Sequence, residues 1–419
     1  MHPLFSIAAT KRRQMMHRRQ FIKLSVATAA SLTLTSWGKA SASWSMQSSL
    51  NKAYSFIDSM MDLYDRGDHL RLIQSYKGGY LGSIGFDPAF TYDNALAIIA
   101  YLSRGLGKDK KRATVLGDSL LYVQEHDPAA DGRVRDAYEP SQLLLEDGTP
   151  NIAYRWGQGG SATGNQAWTG LAFLWLYLTT KHHRFLQGAE RIGTWILENT
   201  YDTRGAGGYM GGIDAANNVL TWKSTEHNID AYSLFRSLYN MLGNINWKNA
   251  ADHAYDFIIS MWNAESGFFW TGTGTDGTTT NTYPIPEDVQ TWSYLAIQNP
   301  HLQRSIDWAA ENLAAQDSIF RGVSFSNADT SKVWFEGTAH LALALNRRGA
   351  ARDLEQSELL IQYIRLAQEK AMNTDGKGIV AASSDGLQTG FGYSYYASLH
   401  IGATSWYCIA VNHSNPFQP

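Results

Sequence analysis

The chain lacks most of what would staple, anchor or cofactor-load a protein. It holds one cysteine, Cys408, in 419 residues, so no intramolecular disulfide can form, as suits folding in a reducing compartment. Cys408 lies in the apolar run Trp406-Tyr407-Cys408-Ile409-Ala410, where buried filler is its expected role. No Gly-rich phosphate loop, spaced Cys/His zinc set or Gly-x-Ser-x-Gly elbow occurs, which argues against nucleotide, zinc and serine-hydrolase chemistry. Asp131-Gly132, Asp276-Gly277 and Asp385-Gly386 read as turns and not as calcium loops. No metal and no cofactor are expected. The apolar stretch Leu24–Trp37 is too short and too rich in Ser and Thr to be a permanent membrane anchor. No strand-rich second domain and no low-complexity linker are evident.

What is present begins with an address. Arg18-Arg19-Gln20-Phe21-Ile22-Lys23 reads as a twin-arginine export signal, followed by the apolar stretch and the small-x-small site Ala40-Ser41-Ala42. No cysteine follows that site, so a lipoprotein anchor is not indicated. Residues 1–42 are therefore expected to be a signal peptide, and residues 43–419 a single catalytic domain in the periplasm or outside the cell. The first 42 residues hold seven of the 35 Lys and Arg and none of the 38 Asp and Glu, leaving 28 basic against 38 acidic residues, a net charge near −10. Such a chain repels nucleic acid and anionic membranes. It is expected to act as a monomer, with the export machinery as a partner.

Helical periodicity recurs in a strict alternation. Segments with one charged face cover roughly 49–65, 111–126, 183–199, 247–263, 301–314 and 354–373. Segments apolar on nearly every side cover roughly 93–106, 165–180, 225–243, 288–298, 335–348 and 400–413. A helix apolar all round must be surrounded by protein, whereas a one-faced helix lies outside. Short polar links follow the inner segments and long loops follow the outer ones, and loops of that length are usually functional. Thr271–Thr280 reads as a small hairpin within one such loop, and the Gly-rich run Gly205–Gly212 as an active-site loop. Six inner and six outer helices with long loops at one end resemble the six-hairpin glycosidase superfamily, an all-α (α/α)6 toroid. That group includes glycanases, unsaturated-uronyl hydrolases, some polysaccharide lyases and N-acylglucosamine epimerases. The resemblance covers nearly the whole mature chain.

The inner segments open on residues unusual for buried helices: Tyr92-Asp93-Asn94, Asn165-Gln166-Ala167-Trp168, Glu226-His227-Asn228-Ile229-Asp230, Glu287-Asp288-Val289-Gln290 and Trp334-Phe335-Glu336. In a toroid these openings converge on one cavity. Acidic residues in a first turn also serve as caps, but caps need no shell of Trp, Tyr, Gln and Asn. Glycoside hydrolysis requires two carboxyls in opposite protonation states. Glu226 is the expected acid, because Asp230 one turn later would raise its pKa. Asp93 and Asp288 are the base candidates, and Glu336 ranks fourth. The resemblance implies inversion of the anomeric centre. His227 is expected to be a wall residue beside Glu226. Gln166, Trp168, Gln290 and Asp230 are expected to bind substrate. So are Trp222, Trp270, Trp334 and Tyr393, whose flat faces suit stacking on sugar rings.

The expected activity is cleavage of a polysaccharide or oligosaccharide. The alternatives are a lyase using Tyr393, Tyr395 and Arg155, a sugar epimerase, or a non-catalytic glycan-binding protein. Replacing Arg18 and Arg19 by Lys should strand the precursor in the cytoplasm; cell fractionation of the double variant checks this.

Overall fold

The computed structural model describes residues 36–419, with side chains from Met46 onward. The twin-arginine motif lies outside the described residues. The chain divides at Ser49: the described part of the first unit is the opening of helix α1, Ser36–Met61, and the second unit is Ser49–Pro419.

Among the described residues, twelve helices build the fold. After α1 come α2 (Thr91–Arg104), α3 (Gly107–Glu125), α4 (Thr163–Thr180), α5 (His183–Thr200), α6 (Thr225–Leu242) and α7 (Ile245–Ser260). They continue as α8 (Glu287–Ile297), α9 (Arg304–Asn312), α10 (Phe335–Arg348), α11 (Ala351–Lys370) and α12 (Ile401–Val411). The short helical turn Gly79–Ser83 sits in the first long loop. The even-numbered helices form the inner ring: each packs on its two even neighbours, and α12 closes back onto α2. Burial follows this division. In α12 every residue from Ile401 to Ala410 is buried, whereas α5 buries the stripe Phe185, Leu186, Ala189, Ile192, Trp195 and Ile196, the spacing of a one-faced helix. The alternation expected from periodicity is thus the architecture found, an (α/α)6 toroid.

The long loops enter the inner helices through a belt of short antiparallel pairings. Ala89–Phe90, ahead of α2, pairs with Ala137–Tyr138, and Ser161–Ala162, ahead of α4, pairs with Gly212–Ile213. Lys223–Ser224, ahead of α6, pairs with Gly272–Thr273, which pairs in turn with Thr280–Asn281 to form the expected hairpin. Pro286 bridges Ser326, and Trp334 bridges Ala382. Leu399–His400, ahead of α12, pairs with Tyr76–Lys77 and closes the circle. The Gly-rich run does not line the cavity: Gly211 lies under Trp222, and a Cβ there would stand 2.6 Å from its ring.

The fourth residue of every inner helix performs one task. Asn94 accepts the Ile73 N–H at 2.8 Å and donates to the same residue's carbonyl at 3.1 Å. Gln166 does so with Val134, at 3.0 and 2.6 Å. Asn228 clamps Tyr209 at 2.8 and 3.0 Å, and Gln290 clamps Phe269 at 2.8 and 3.0 Å. Thr338 and Thr404 accept the N–H groups of Val323 and Ile379 at 3.2 and 2.9 Å. An amide side chain here imitates a strand neighbour and satisfies both backbone groups of one loop residue, which burial otherwise makes costly.

The toroid axis is filled below the loop end. Trp168 lies 5.2 Å from Trp292 and 5.9 Å from Trp406, ring centre to ring centre, and Phe417 packs against all three. The tail that carries Phe417 is tied to the ring by Asn415 donating to the Leu295 carbonyl and by the Trp175 indole donating to Pro416. Replacing Gln166 or Gln290 by Met preserves shape but orphans a buried N–H, that of Val134 or of Phe269, while the Val134 carbonyl keeps the Ser161 hydroxyl. Each variant should lose about 1–3 kcal/mol of stability, measured by denaturant unfolding.

Candidate active site

Helix register decides which residues reach the axis. The second residues of the inner helices are Tyr92, Gly164, Glu226, Asp288, Glu336 and Gly402, and the sixth are Leu96, Trp168, Asp230, Trp292, His340 and Trp406. Positions four apart share a face one turn deeper, so the first set faces the cavity, and of the second Trp168, Asp230 and Trp292 form its floor. The two glycines make room for charge. A Cβ at Gly164 would stand 2.7 Å from the His227 ring and 3.1 Å from Asp230, and one at Gly402 would stand 2.7 Å from Asp93 and 2.9 Å from Glu336.

The cavity has three adjoining chambers. The central one, about 150 Å³, is lined by Glu226, Asp230, Asp288 and Glu336 among Trp168, Trp292 and Trp334. On one side lies a chamber of about 370 Å³ walled by Trp222, Thr271, Asn281, Phe325 and Phe391, which shares Glu226 and His227 with the centre. On the other lies a chamber of about 410 Å³ with Tyr76, Phe86, Phe90, Asp93 and His400, which shares Tyr92, Asn165 and Glu336 with the centre. Tyr393, 52% exposed, borders all three.

Burial and mutual repulsion keep these carboxyls protonated beyond their ordinary range. Burial, then Asp288 and Glu336, lifts Glu226 well above the usual value. Burial pushes Asp288 up to about 7, against the pull of the Val289 N–H. Glu336 also reaches about 7, raised by burial and Asp93 while His400 and the Tyr92 hydroxyl, donating at 2.7 Å, oppose the shift. For Asp230, on the floor, burial followed by Glu226 and Asp288 raises the pKa strongly, with only the Trp168 indole opposing the shift. Burial pushes His227 down to about 4, so it is neutral, and its Nδ1 has no partner. His400 behaves oppositely. Burial works against its charge, but Asp93 at 3.3 Å and Glu336 at 3.5 Å hold its pKa above the ordinary value.

Of the residues expected from sequence, Glu226, Asp288, Glu336, Asp230, His227, Trp168 and Trp334 meet in the central chamber, and Trp222 and Tyr393 border the cleft. Four expectations change. Asp93 is third in its helix, not second, so it turns away from the centre and faces His400 in the neighbouring chamber. Gln166 and Gln290 are fully buried, with their amides consumed by loop backbone, so they hold the loops rather than a substrate. Trp270 lines none of the three chambers; its ring packs edge-on against Phe268 at 4.5 Å and its carbonyl accepts the Thr225 hydroxyl. Arg155, named for a lyase scheme, is engaged by Asp87 and Glu139. Sequence reasoning overlooked His400, Tyr92 as a cavity residue, and Asn165, which Asp136 orients from 2.7 Å. The signal for His400 was its place just ahead of the sixth inner helix, where the other openings had already pointed.

No family model matches the chain, and no curated protein matches it in sequence. Solved structures do match in shape. A D-mannose isomerase superposes with a TM-score of 0.63 at 12% identity, over 87% of this chain and 96% of that one. A glycoside hydrolase family 76 mannosidase from Bacteroides thetaiotaomicron superposes with a TM-score of 0.60 at 10% identity, over 87% and 97%. The cellobiose 2-epimerase from Spirochaeta thermophila gives a TM-score of 0.60 at 12% identity, over 87% and 97%. At these identities the likeness establishes the fold, and the chain shares the (α/α)6 toroid of sugar-processing hydrolases, isomerases and epimerases.

Proposed function

We propose that the protein hydrolyses glycosidic bonds in an oligosaccharide or polysaccharide by direct attack of water, with Glu226 as proton donor and Asp288 serving the water. The observation that carries this reading is the row Glu226, Asp288 and Glu336. These three carboxyls occupy one register on successive inner helices and open between two aromatic-walled chambers. Carboxyls crowded in a buried site cannot all ionise, which yields the mixed protonation that the reaction requires. Burial and its carboxyl neighbours raise Glu226 well above its ordinary range, which favours its protonated form, while Asp288, at about 7, can release its own proton. A glycan with sugars in both flanking chambers would carry its scissile bond over this row. Trp222, Trp334 and Tyr393 offer faces for stacking.

A lyase is disfavoured by charge. Lys223 is the one Lys or Arg lining the three chambers, and Asp202 together with the carbonyls of Arg204 and Gly207 occupies its ammonium. A sugar epimerase is the second reading, favoured by two histidines in the cleft, His227 in the central chamber and His400 in the chamber beyond Glu336. Release of new reducing ends from a polysaccharide panel, against a change of sugar configuration without chain cleavage, separates the two. Export by the twin-arginine route, to the periplasm or beyond, completes the proposal.

Glu226→Gln keeps size and hydrogen bonding but has no proton to transfer, so turnover should fall by about 10²–10⁴-fold without loss of stability. Full activity in that variant would remove Glu226 from the role. Asp288→Asn should lose turnover at every substrate concentration, whereas a residue that only grips a sugar hydroxyl loses mainly apparent affinity.

Stability should depend on pH in a definite direction. Asp288 and Glu336 titrate at about 7 when folded, against ordinary values of 3.8 and 4.5. Between those limits the folded protein binds protons that the unfolded chain has released, so this contribution is fully present only below about pH 4, declines as pH rises and is gone once pH has passed 7. Tm measured from pH 5 to 8 should fall, and Asp288→Asn and Glu336→Gln should flatten the fall.

A further inference from the structure

Beneath Glu336 lies a pair of titratable groups that the hydrolytic reading leaves unused. Glu287, first residue of α8, and His340, sixth residue of α10, are both fully buried. Glu287 Oε2 stands 3.0 Å from His340 Nδ1. His340 Nε2 has no hydrogen-bond partner and faces Glu336 Oε1 at 3.8 Å. The rest of the imidazole's surroundings are rings: Trp406 at 4.2 Å, Trp292 at 5.1 Å and Trp334 at 5.2 Å. The other polar neighbour of the Glu287 carboxyl is the Thr291 hydroxyl, which opposes the rise in its pKa. A buried acid and a buried base in contact, with one free nitrogen aimed at a cavity carboxyl, is an expensive arrangement for packing alone.

We propose that Glu287 and His340 form a sealed proton relay to Glu336, built from two positioning residues that never touch substrate. The inference rests on the hydrolytic reading of the cavity. Burial holds His340 neutral, and burial with Asp288 holds the proton on Glu287. A protonated Glu287 donates to Nδ1, which leaves the imidazole proton on Nε2, toward Glu336. When Glu336 is ionised, the Glu287 O–H bond breaks as Nδ1–H forms, and Nε2–H breaks as the Glu336 O–H forms. One proton has then passed from Glu287 to Glu336, and one negative charge has moved from the cavity to the buried carboxyl. The reverse sequence restores the start. The transfer requires the 3.8 Å gap to close to hydrogen-bond length.

The other groups around Glu336 lie along the cleft. Tyr92 donates to Oε1 from α2, and His400 approaches Oε2 from the entry of α12, with Asp93 behind it. Asp288 and Glu226 act from α8 and α6, and Glu336 also acts on the phenols of Tyr76, Tyr393 and Tyr395. His340 alone meets Glu336 from the closed side. It remains connected when a glycan fills the chambers, and a proton delivered to Glu336 leaves Asp288 free to carry the charge that a base requires.

The test pairs nitrogen-15 histidine NMR with kinetics on the full protein. In the wild type His340 should be neutral, with the proton on Nε2, and its Nε2 resonance should inflect near pH 7, where Glu336 titrates. Glu336→Gln should abolish that inflection. Glu287→Gln keeps a donor to Nδ1, and hence the tautomer, but has no proton to give. Its turnover should drop about tenfold or more with KM little changed, and the acidic limb of its pH profile should move. A His340 protonated at Nδ1 at about pH 5 to 6, where Glu336 still holds its own proton, or an Nε2 resonance indifferent to Glu336→Gln, overturns the relay whether or not a substrate is known. So does a Glu287→Gln pH profile that superimposes on the wild type. Absence of hydrolysis on every glycan sinks the hydrolase reading instead and leaves the NMR result to decide the relay.

Discussion

A side chain at the fourth position of each inner helix, hydrogen-bonded to the backbone of a loop, fixes the rotation of that helix. In an α-helix two residues span about 200°, so anchoring position four against a loop turns positions two and six to the opposite side. That side is the toroid axis. Asn94, Gln166, Asn228, Gln290, Thr338 and Thr404 make these bonds. The row Glu226, Asp288 and Glu336 is a consequence of them. Loosening one clamp would let a loop drift and a helix roll, and a carboxyl would leave the cavity even though no cavity residue had changed.

The clamps also oppose a local instability. Glu226, Asp230, Asp288, Glu336 and Glu287 lie close together with their pKa values raised, a set no fold would choose for stability. Functional sites commonly carry such strain because the surrounding structure over-determines them. Here the closed inner ring, the belt of short pairings and the aromatic plug supply that support.

Much of this was legible in the sequence, for a specific reason. Helices apolar on all sides alternate with one-faced helices, and that pattern depends only on side-chain chemistry and a period of 3.6. The convergence of first turns at one end followed from loop length. What could not be read was helix phase. Gln166 and Glu226 both stand in the first turn of an inner helix, yet one grips Val134 and the other lines the cleft. Only the clamp distinguishes them, and the clamp is a contact between residues far apart in the chain. Asp93 was misplaced by one residue of phase. His340 carries no signal at all, since a histidine in Thr338-Ala339-His340-Leu341 resembles ordinary core until Glu287 is seen opposite it.

The aromatic plug has an optical consequence. Trp168, Trp292 and Trp406 lie within 5.2 to 5.9 Å of one another, near enough for their indole transitions to couple, yet they come from α4, α8 and α12, spread around the ring. Their coupling exists only when the circle is shut. The same rings floor the central chamber through Trp168 and Trp292. The near-ultraviolet circular dichroism of this protein therefore carries an intrinsic reporter of ring closure, and a sugar settling on that floor perturbs the same band without any added dye.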